Sequence, residues 1–467
     1  MKRGLISSCL DGIKDDKNGE KYSKILSYFY PEFITALVLY SLLYLLDSYF
    51  VGHLKSTSMY ATLGVTNTML HLMVKFAEGI SVGTIVLCGR FNGIGKFKEV
   101  GKTLVNSFWV SFISGFVISS FLYFGAYRIY YCYGVPVDMI HLGVPFLRVR
   151  AIGIFFMFLY FALIGFMRGI KNTKTPMIIF AFGAAVFLFF DYSLIFGKFG
   201  FPEMGLQGSA IATVVQYGVM LFLAILYVFT NKDNRKYGMR LFSSVNNLSR
   251  VKELLHLSWP VVLDKSTMAI AYIWLGWRLA TMGKCALATF AVVKDLERFA
   301  FLPAVAFAQV TTFLVSNDYG RSNWLGIKSN IKKIVFLASI MVFFNLIVLS
   351  VWPTFFVQFF DRNGDFTGLA ATVLPILSVL VLFDVIQLIL SGAMRGSSNV
   401  KTVMITRLLV CGLYFGPVSY LISIIDFGGS VALKFILIYG SFYLGNGFMN
   451  IIYIKRFRGQ DWKRKSS

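Results

Sequence analysis

The sequence predicts an all-α polytopic membrane protein: about twelve transmembrane helices in two pseudo-symmetric six-helix bundles, related by a parallel repeat. Three observations carry that expectation. Of 467 residues, 57% are hydrophobic, 17% aromatic and only 14% charged, with a mean hydropathy of +0.69, which is too apolar for one soluble globule to hide. Continuous apolar runs of the ~20 residues needed to cross a bilayer recur along the whole chain. A thirteen-residue segment is also written twice: GFMRGIKNTKTPM starts at Gly165 and GAMRGSSNVKTVM at Gly392, 227 residues apart, with eight positions identical.

In order, the predicted spans cover 28–52, 62–88, 103–127, 151–168, 174–197, 205–229, 255–283, 286–316, 332–352, 370–394, 401–425 and 430–454. They are long and unbroken rather than ten-residue alternating strands, so helices follow and a barrel does not. The first run is too long and too late for a cleavable signal and lacks a small-residue cleavage site, so it reads as a spanning helix. Lys and Arg crowd the N-terminal tail, every second loop and the tail from Lys455 to Lys465, whereas the alternate loops carry little beyond Lys55, Lys198, Lys284 and Arg362. Both termini are therefore expected on the cytoplasmic side of an inner (plasma) membrane. Arg128, Arg148 and Arg150 break the pattern, because they fall in the loop expected before the fourth span, on the outer side.

Both repeated segments end in basic loops on the same side, so an even number of helices separates them and the repeat is parallel. Pro31 and Pro260, each near the start of its half, keep nearly the same spacing, and Gly93 answers Gly320 at 227. The expected organisation is a cytoplasmic tail 1–27, an N lobe 28–229, a polar linker 230–254, a C lobe 255–454 and a basic tail 455–467. For the repeated residues themselves the plain reading is structural: Arg168 and Arg395 snorkel to the interface, and Gly165, Gly169, Gly392 and Gly396 let helices approach closely.

Net charge is +23, but the basic residues track topology and are not interleaved with base-stacking aromatics, so nucleic acid is not an expected partner. The sequence has no GxxxxGK[ST] segment for ATP and no Ser/His/Asp or HExxH constellation; with four His and no paired Cys spacing, neither an enzyme nor a metal centre is expected. The five cysteines read as reduced thiols, and the sequence leaves open whether Cys132 and Cys285 pair. His53 allows a proton relay or a simple helix-end role. The expected assembly is a monomer without a cofactor.

Acidic side chains inside the spans carry the chemistry, because a charge at mid-bilayer costs roughly 2.5–3.5 kcal/mol or more and needs a partner, a cavity or a proton. Those singled out are Asp47, Glu78, Asp191, Asp264, Asp295, Glu297 and Asp384. Asp47 and Asp191 each follow strongly apolar runs. Desolvation disfavours each carboxylate and mutual repulsion disfavours the pair, so the two are expected to trade protons, and their neutralisation to bend or close the N lobe. In KDLER (Lys294–Arg298), an internal ion-pair network and a substrate contact are both open for Asp295 and Glu297. Asp264 and the adjacent Lys265 point to different surroundings. Asp384 and Gln387 share a helix face, towards a cavity or towards a neighbouring helix.

LLDSYFVGHL (Leu45–Leu54), the Gly165 segment, FFDYSLIFG, GLQGSAIAT (Gly205–Thr213), LERFAFLP (Leu296–Pro303) and FDVIQLILSGAMRG (Phe383–Gly396) together resemble the multidrug and toxic compound extrusion (MATE) transporters, over roughly residues 25–455. The resemblance implies two lobes around a membrane-spanning cavity and export of small organic, often cationic compounds in exchange for H+ or Na+. It also implies a cation site in the N lobe, for which Asp47, Asp191 and Thr213 match. Phe187 stands where that site has an Asn, which favours H+ over Na+, while a second cation site using Asp384 stays open. Asp295 stands where relatives have an Arg. The alternative from the same wider superfamily is a flippase for lipid-linked oligosaccharides or peptidoglycan precursors, which commonly has fourteen helices and a basic cavity.

Overall fold

In the computed structural model of the protein, the described residues are 18–38, 43–54, 56–239, 248–358, 360–361, 364–425, 427–459 and 461–463, and their regular elements are helices. They are α1 (Tyr22–Leu37), α2 (Leu43–Gly52), α3 (Thr57–Gly93), α4 (Phe97–Tyr133), α5 (Val137–Gly169), α6 (Lys174–Phe196), α7 (Leu206–Thr230), α8 (Leu248–Ala280), α9 (Lys284–Gly320), α10 (Trp324–Val351), the short α11 (Pro353–Gln358), α12 (Thr367–Gly396), α13 (Val400–Leu409), α14 (Gly416–Ile424) and α15 (Val431–Arg458). A π-helical stretch, Val410–Phe415, joins α13 to α14, so these two form one continuous span. Among the described residues, ten helices are long and apolar enough to cross a membrane. The other two predicted spans are α1 with α2, between which 39–42 lie outside the described residues, and α8, whose apolar content is diluted by Asp264 and Lys265.

Several helices run well beyond the predicted spans. α3 and α4 have 37 residues each, about 55 Å at 1.5 Å per residue, much longer than a ~30 Å hydrocarbon layer. The loop expected before the fourth span is therefore mostly helix: Arg128 belongs to α4, Arg148 and Arg150 belong to α5, and the turn between them is only 134–136. Gly134 makes that turn in the left-handed conformation, φ 74°.

The chain forms two compact units, one of Tyr30–Val262 and one of the described parts of Met1–Phe29 and Leu263–Ser467. These limits differ from the predicted lobes because the described parts of the predicted linker, 230–239 and 248–254, pack on the first unit. The 3₁₀ turn Lys232–Tyr237 buries Tyr237 against α4, where Gly101 leaves no room for a Cβ beneath the Tyr237 carbonyl. Arg250 pairs with Glu99 at 3.0 Å, and Glu253 pairs with Arg90. The first turns of α8 then lie on α3, where Gly79 and Gly83 accommodate Val262 and Ser258. At the other end, Tyr28 and Phe29 pack on Phe313 and Phe307 of α9.

Within each unit the repeat is visible in the backbone. α3 and α4 pack on α5 in the first unit, and α9 and α10 pack on α12 in the second. Lys171 and Ser398, one repeat apart, both take the rare left-handed conformation (φ 64° and 63°), as do Gly95 and Ser322 (74° and 57°). The hydrogen bonds that close the helices also match. Lys171 N donates to Arg168 O and Asn172 N to Met167 O, as Ser398 N does to Arg395 O and Asn399 N to Met394 O, all at 2.9 Å. The repeated glycines do what small residues do between membrane helices. A Cβ on Gly165 would stand 2.8 Å from Ser81 O of α3, and one on Gly392 would stand 2.7 Å from Ala308 O of α9.

Candidate functional site

The repeated arginines do not snorkel. Arg168 grips Glu32 of α1 in a fork, Nε to Oε1 at 2.8 Å and Nη2 to Oε2 at 2.6 Å, with Glu32 only 2% exposed. Arg395 donates to Asp264 Oδ2 at 2.5 Å, and the fully buried Arg407 of α13 takes Oδ1. Helices that must hide an arginine supply it with an acid from the first helix of the same half, which is cheaper than carrying either charge alone into an apolar interior. Both oxygens of Asp264 are thereby committed to structure, not to a cavity.

In the first unit, Asp47 of α2, Asp191 of α6 and Thr213 of α7 are all buried. The helix α6 is terminated by left-handed Gly197, and Gly208 brings the start of α7 against the Leu194 backbone, which holds the two helices together. Asp47 is satisfied by two neighbours: Ser209 donates to Oδ1 at 2.6 Å and Arg150 Nη2 donates to Oδ2 at 3.2 Å. Arg150 also donates from Nη1 to the Thr213 hydroxyl at 2.8 Å and from Nη2 to Asn67 Oδ1 at 3.4 Å. The Thr213 hydroxyl in turn donates to Ser209 O at 3.1 Å. Asp191 is different: it is 0% exposed and neither carboxylate oxygen has a hydrogen-bond partner. The charges that act on it are Asp47, which repels it, and Arg150, which attracts it. Phe187, one turn before it, joins an apolar cluster with Leu43, Ala184 and Ala212.

Arg150 is the member of this group that the sequence reading placed elsewhere, in an outer loop. Its signal was present: it breaks the alternation of basic loops. Glu32 carried a signal too, since it falls inside the predicted first span, where the rule that singles out Asp47 applies to it. His53 sits at the end of α2 with Nδ1 2.8 Å from Tyr49 O, a helix-end role. Glu78 lies 3.4 Å from Lys75. Cys132 and Cys285 are free thiols.

The second unit holds a separate acidic group. The Tyr439 and Tyr443 hydroxyls of α15 both donate to Glu297 Oε2 at 2.6 Å, leaving Oε1 buried and unpartnered. Glu297 is thus held by tyrosines and not by Lys294 or Arg298 of its own helix; Lys294 lies over the Phe290 ring. Asn446 donates to Asp384 Oδ1 at 3.0 Å, and Gln387 is buried beside Tyr453. Asp384 is close enough to act on Glu297 electrostatically, whereas Asp295 is half-exposed on the adjacent turn. Asp384 and Glu297 are both buried in this unit, and Asp295 is not.

Chains of known kind share this sequence and this architecture. The MatE family model matches residues 33–193 and 260–421, stretches that start 227 residues apart (33 and 260), the spacing of the repeated segment. The multidrug resistance protein NorM of Photobacterium profundum is 22% identical over 380 residues, covering 81% of this chain and 83% of that one. The probable multidrug resistance protein YoeA of Bacillus subtilis is 24% identical over 431 residues, covering 89% and 92%. Among solved structures, an outward-facing multidrug resistance MATE family transporter of the MOP superfamily superposes with a TM-score of 0.85 at 18% identity, over 96% of this chain and 98% of that one. A Vibrio cholerae MATE transporter, VcmN, superposes with a TM-score of 0.86 at 16% identity, over 98% and 99%. The family model accounts for most of the chain, and with it the doubled architecture: this protein belongs to the MatE family.

Proposed function

We propose that this chain is a secondary active antiporter of the cytoplasmic membrane that exports small organic, cationic or amphipathic compounds in exchange for H+, with both termini on the cytoplasmic side. The observation that carries the reading is Asp191, a fully buried carboxyl group with no hydrogen-bond partner beside the satisfied Asp47. A carboxylate so placed has its desolvation uncompensated, so it is suited to take a proton from one side and release it when the surrounding helices open to the other. The multidrug resistance names of the relatives support the cargo class. The driving force suffices in principle: about 2.3 kcal/mol per charge across 100 mV and about 1.4 kcal/mol per pH unit. Asp384 and Glu297 are the groups for a second cation site in the C-terminal half. Nothing in the relatives' names favours the flippase alternative.

The test is efflux of a cationic dye from proteoliposomes under a pH gradient and a Na+ gradient imposed separately. The pH gradient should drive efflux, and Asp191→Asn should stop it while the protein still elutes as a folded species. Unchanged pH-driven efflux in that variant would remove the proposed coupling site.

A further inference from the structure

The exchange proposed above uses Asp191 and leaves the neighbouring guanidinium of Arg150 without a task. Arg150, with its side chain 11% exposed, lies among four helices. It reaches Asp47 on α2, Asn67 on α3 and Thr213 on α7 from its own helix α5, with its Cζ 5.2 Å from the Phe146 ring centre. Three side-chain oxygens thus converge on one position, and a guanidinium fills it. Remove the guanidinium, and what is left is a carboxylate, an amide oxygen and a hydroxyl facing each other, with the Ser209 hydroxyl alongside: a set of hard oxygen donors of the kind that binds a small cation. We propose that Arg150 is the resident cation of this cage, occupying the place that a transported metal cation would need and so restricting the N-terminal coupling site to protons.

The proposal rests on the antiport reading and narrows it. A Na+ ion added a few ångströms from a fixed guanidinium meets a like charge in a poorly solvated interior, where repulsion is strong. It would also have to compete for oxygens whose lone pairs already accept from Arg150. A proton meets neither obstacle, because it binds Asp191, which Arg150 does not contact. The charged and titratable groups that act on Asp191 are Asp47 from α2 and Arg150 from α5. With Asp191 neutral, Asp47 and Arg150 balance. When Asp191 gives up its proton, the one guanidinium must serve carboxylates on two helices, α2 and α6, and that competition converts loss of a proton into a pull between them.

The test reads cation binding rather than transport. Purified full-length protein is melted in NaCl and in choline chloride at equal ionic strength, as wild type, Asp47→Asn, Arg150→Gln, Arg150→Lys and Arg150→Gln with Asp47→Asn. The expected result is no Asp47-dependent Na+ response in wild type or Arg150→Lys. Arg150→Gln should show a saturable rise in melting temperature with Na+, which the added Asp47→Asn abolishes. An Arg150→Gln protein as indifferent to Na+ as wild type overturns the proposal. So does a saturable Na+ response in wild type that Asp47→Asn removes, and this second comparison decides the matter even if Arg150→Gln does not fold. Absence of dye efflux under any gradient would defeat the antiport reading, while the Na+ titration would still score the guanidinium.

Discussion

The fork between Arg168 and Glu32 offers a direct measure of what the repeated segment does. Two charge-assisted bonds of 2.8 and 2.6 Å link α5 to α1, with the side chains 12% and 2% exposed. Removing Arg168 leaves Glu32 charged and dry, which typically costs about 3–5 kcal/mol, whereas replacing both by apolar side chains of similar volume is often close to neutral. Arg168→Met should therefore destabilise by about 3 kcal/mol, more than a hundredfold in the unfolding equilibrium. The double variant with Glu32→Leu should cost less than Arg168→Met alone. The assay is reversible denaturation in mixed micelles, with the coupling taken from the double-mutant cycle. Additive losses, with the double variant the worst of the three, would refute the argument that burial of an unpaired charge is the penalty, and would return Arg168 to a role at the membrane surface.

Three further outcomes follow from contacts in the two units. Gly396→Ala should destabilise the C-terminal unit by roughly 1–3 kcal/mol in a melting assay, because its Cβ would stand 2.6 Å from the Thr312 backbone oxygen and 2.9 Å from Val315 Cβ; an exposed glycine with open space around it, Gly412, is the control. Tyr439→Phe with Tyr443→Phe removes both donors to Glu297 and leaves its buried carboxyl without a hydrogen-bond partner, so the double variant should melt lower than wild type, while Glu297→Gln in the same background should recover part of the loss. Asp361, between α11 and α12, accepts backbone N–H bonds from Gly364, Asp365, Phe366 and Thr367 at 2.7–3.1 Å and the Thr367 hydroxyl at 2.7 Å. Burial pushes its acidity one way, but these donors outweigh it and hold the carboxyl below the ordinary range. The stability it adds is then present above the unfolded-state value and is lost as pH falls through the lower folded one; Asp361→Ala should lower the melting temperature at neutral pH and make it less sensitive to acid.

The bilayer makes the helices legible, because each must be long, apolar and internally bonded, and the duplicated segment makes their grouping legible. Asp47, Asp191, Thr213, Asp384 and Glu297 could be singled out as ionisable or matching residues before any geometry. Their partners could not. Nothing in local sequence says that the Ser209 hydroxyl faces Asp47, or that Tyr439 and Tyr443, 142 and 146 residues from Glu297, supply its donors. The helix ends were misjudged for a physical reason: hydropathy marks where a helix enters lipid, and α4 and α5 continue past that level as helix. That continuation is what moved Arg150 from an expected loop into a helix beside Asp47.

The repeat also separates what the scaffold must keep from what the chemistry is free to change. At a spacing of 227, backbone features survive even where residues differ: Gly95 and Ser322 share a conformation, and Ser81 O and Ala308 O both receive a glycine. The chemical groups do not survive. The same spacing takes Asp47 to Trp274, Arg150 to Leu377 and Asp191 to Val418, and it takes Glu297 and Asp384 back to Leu70 and Met157. Helix packing tolerates little change, because each close approach fixes the backbones of two helices at once, whereas a buried polar group needs only its own few partners and can be built on any helix that supplies them. Each half therefore carries its own acidic group on a shared frame: a guanidinium-bridged aspartate beside an unpartnered one in the first, and a tyrosine-held glutamate near an aspartate in the second.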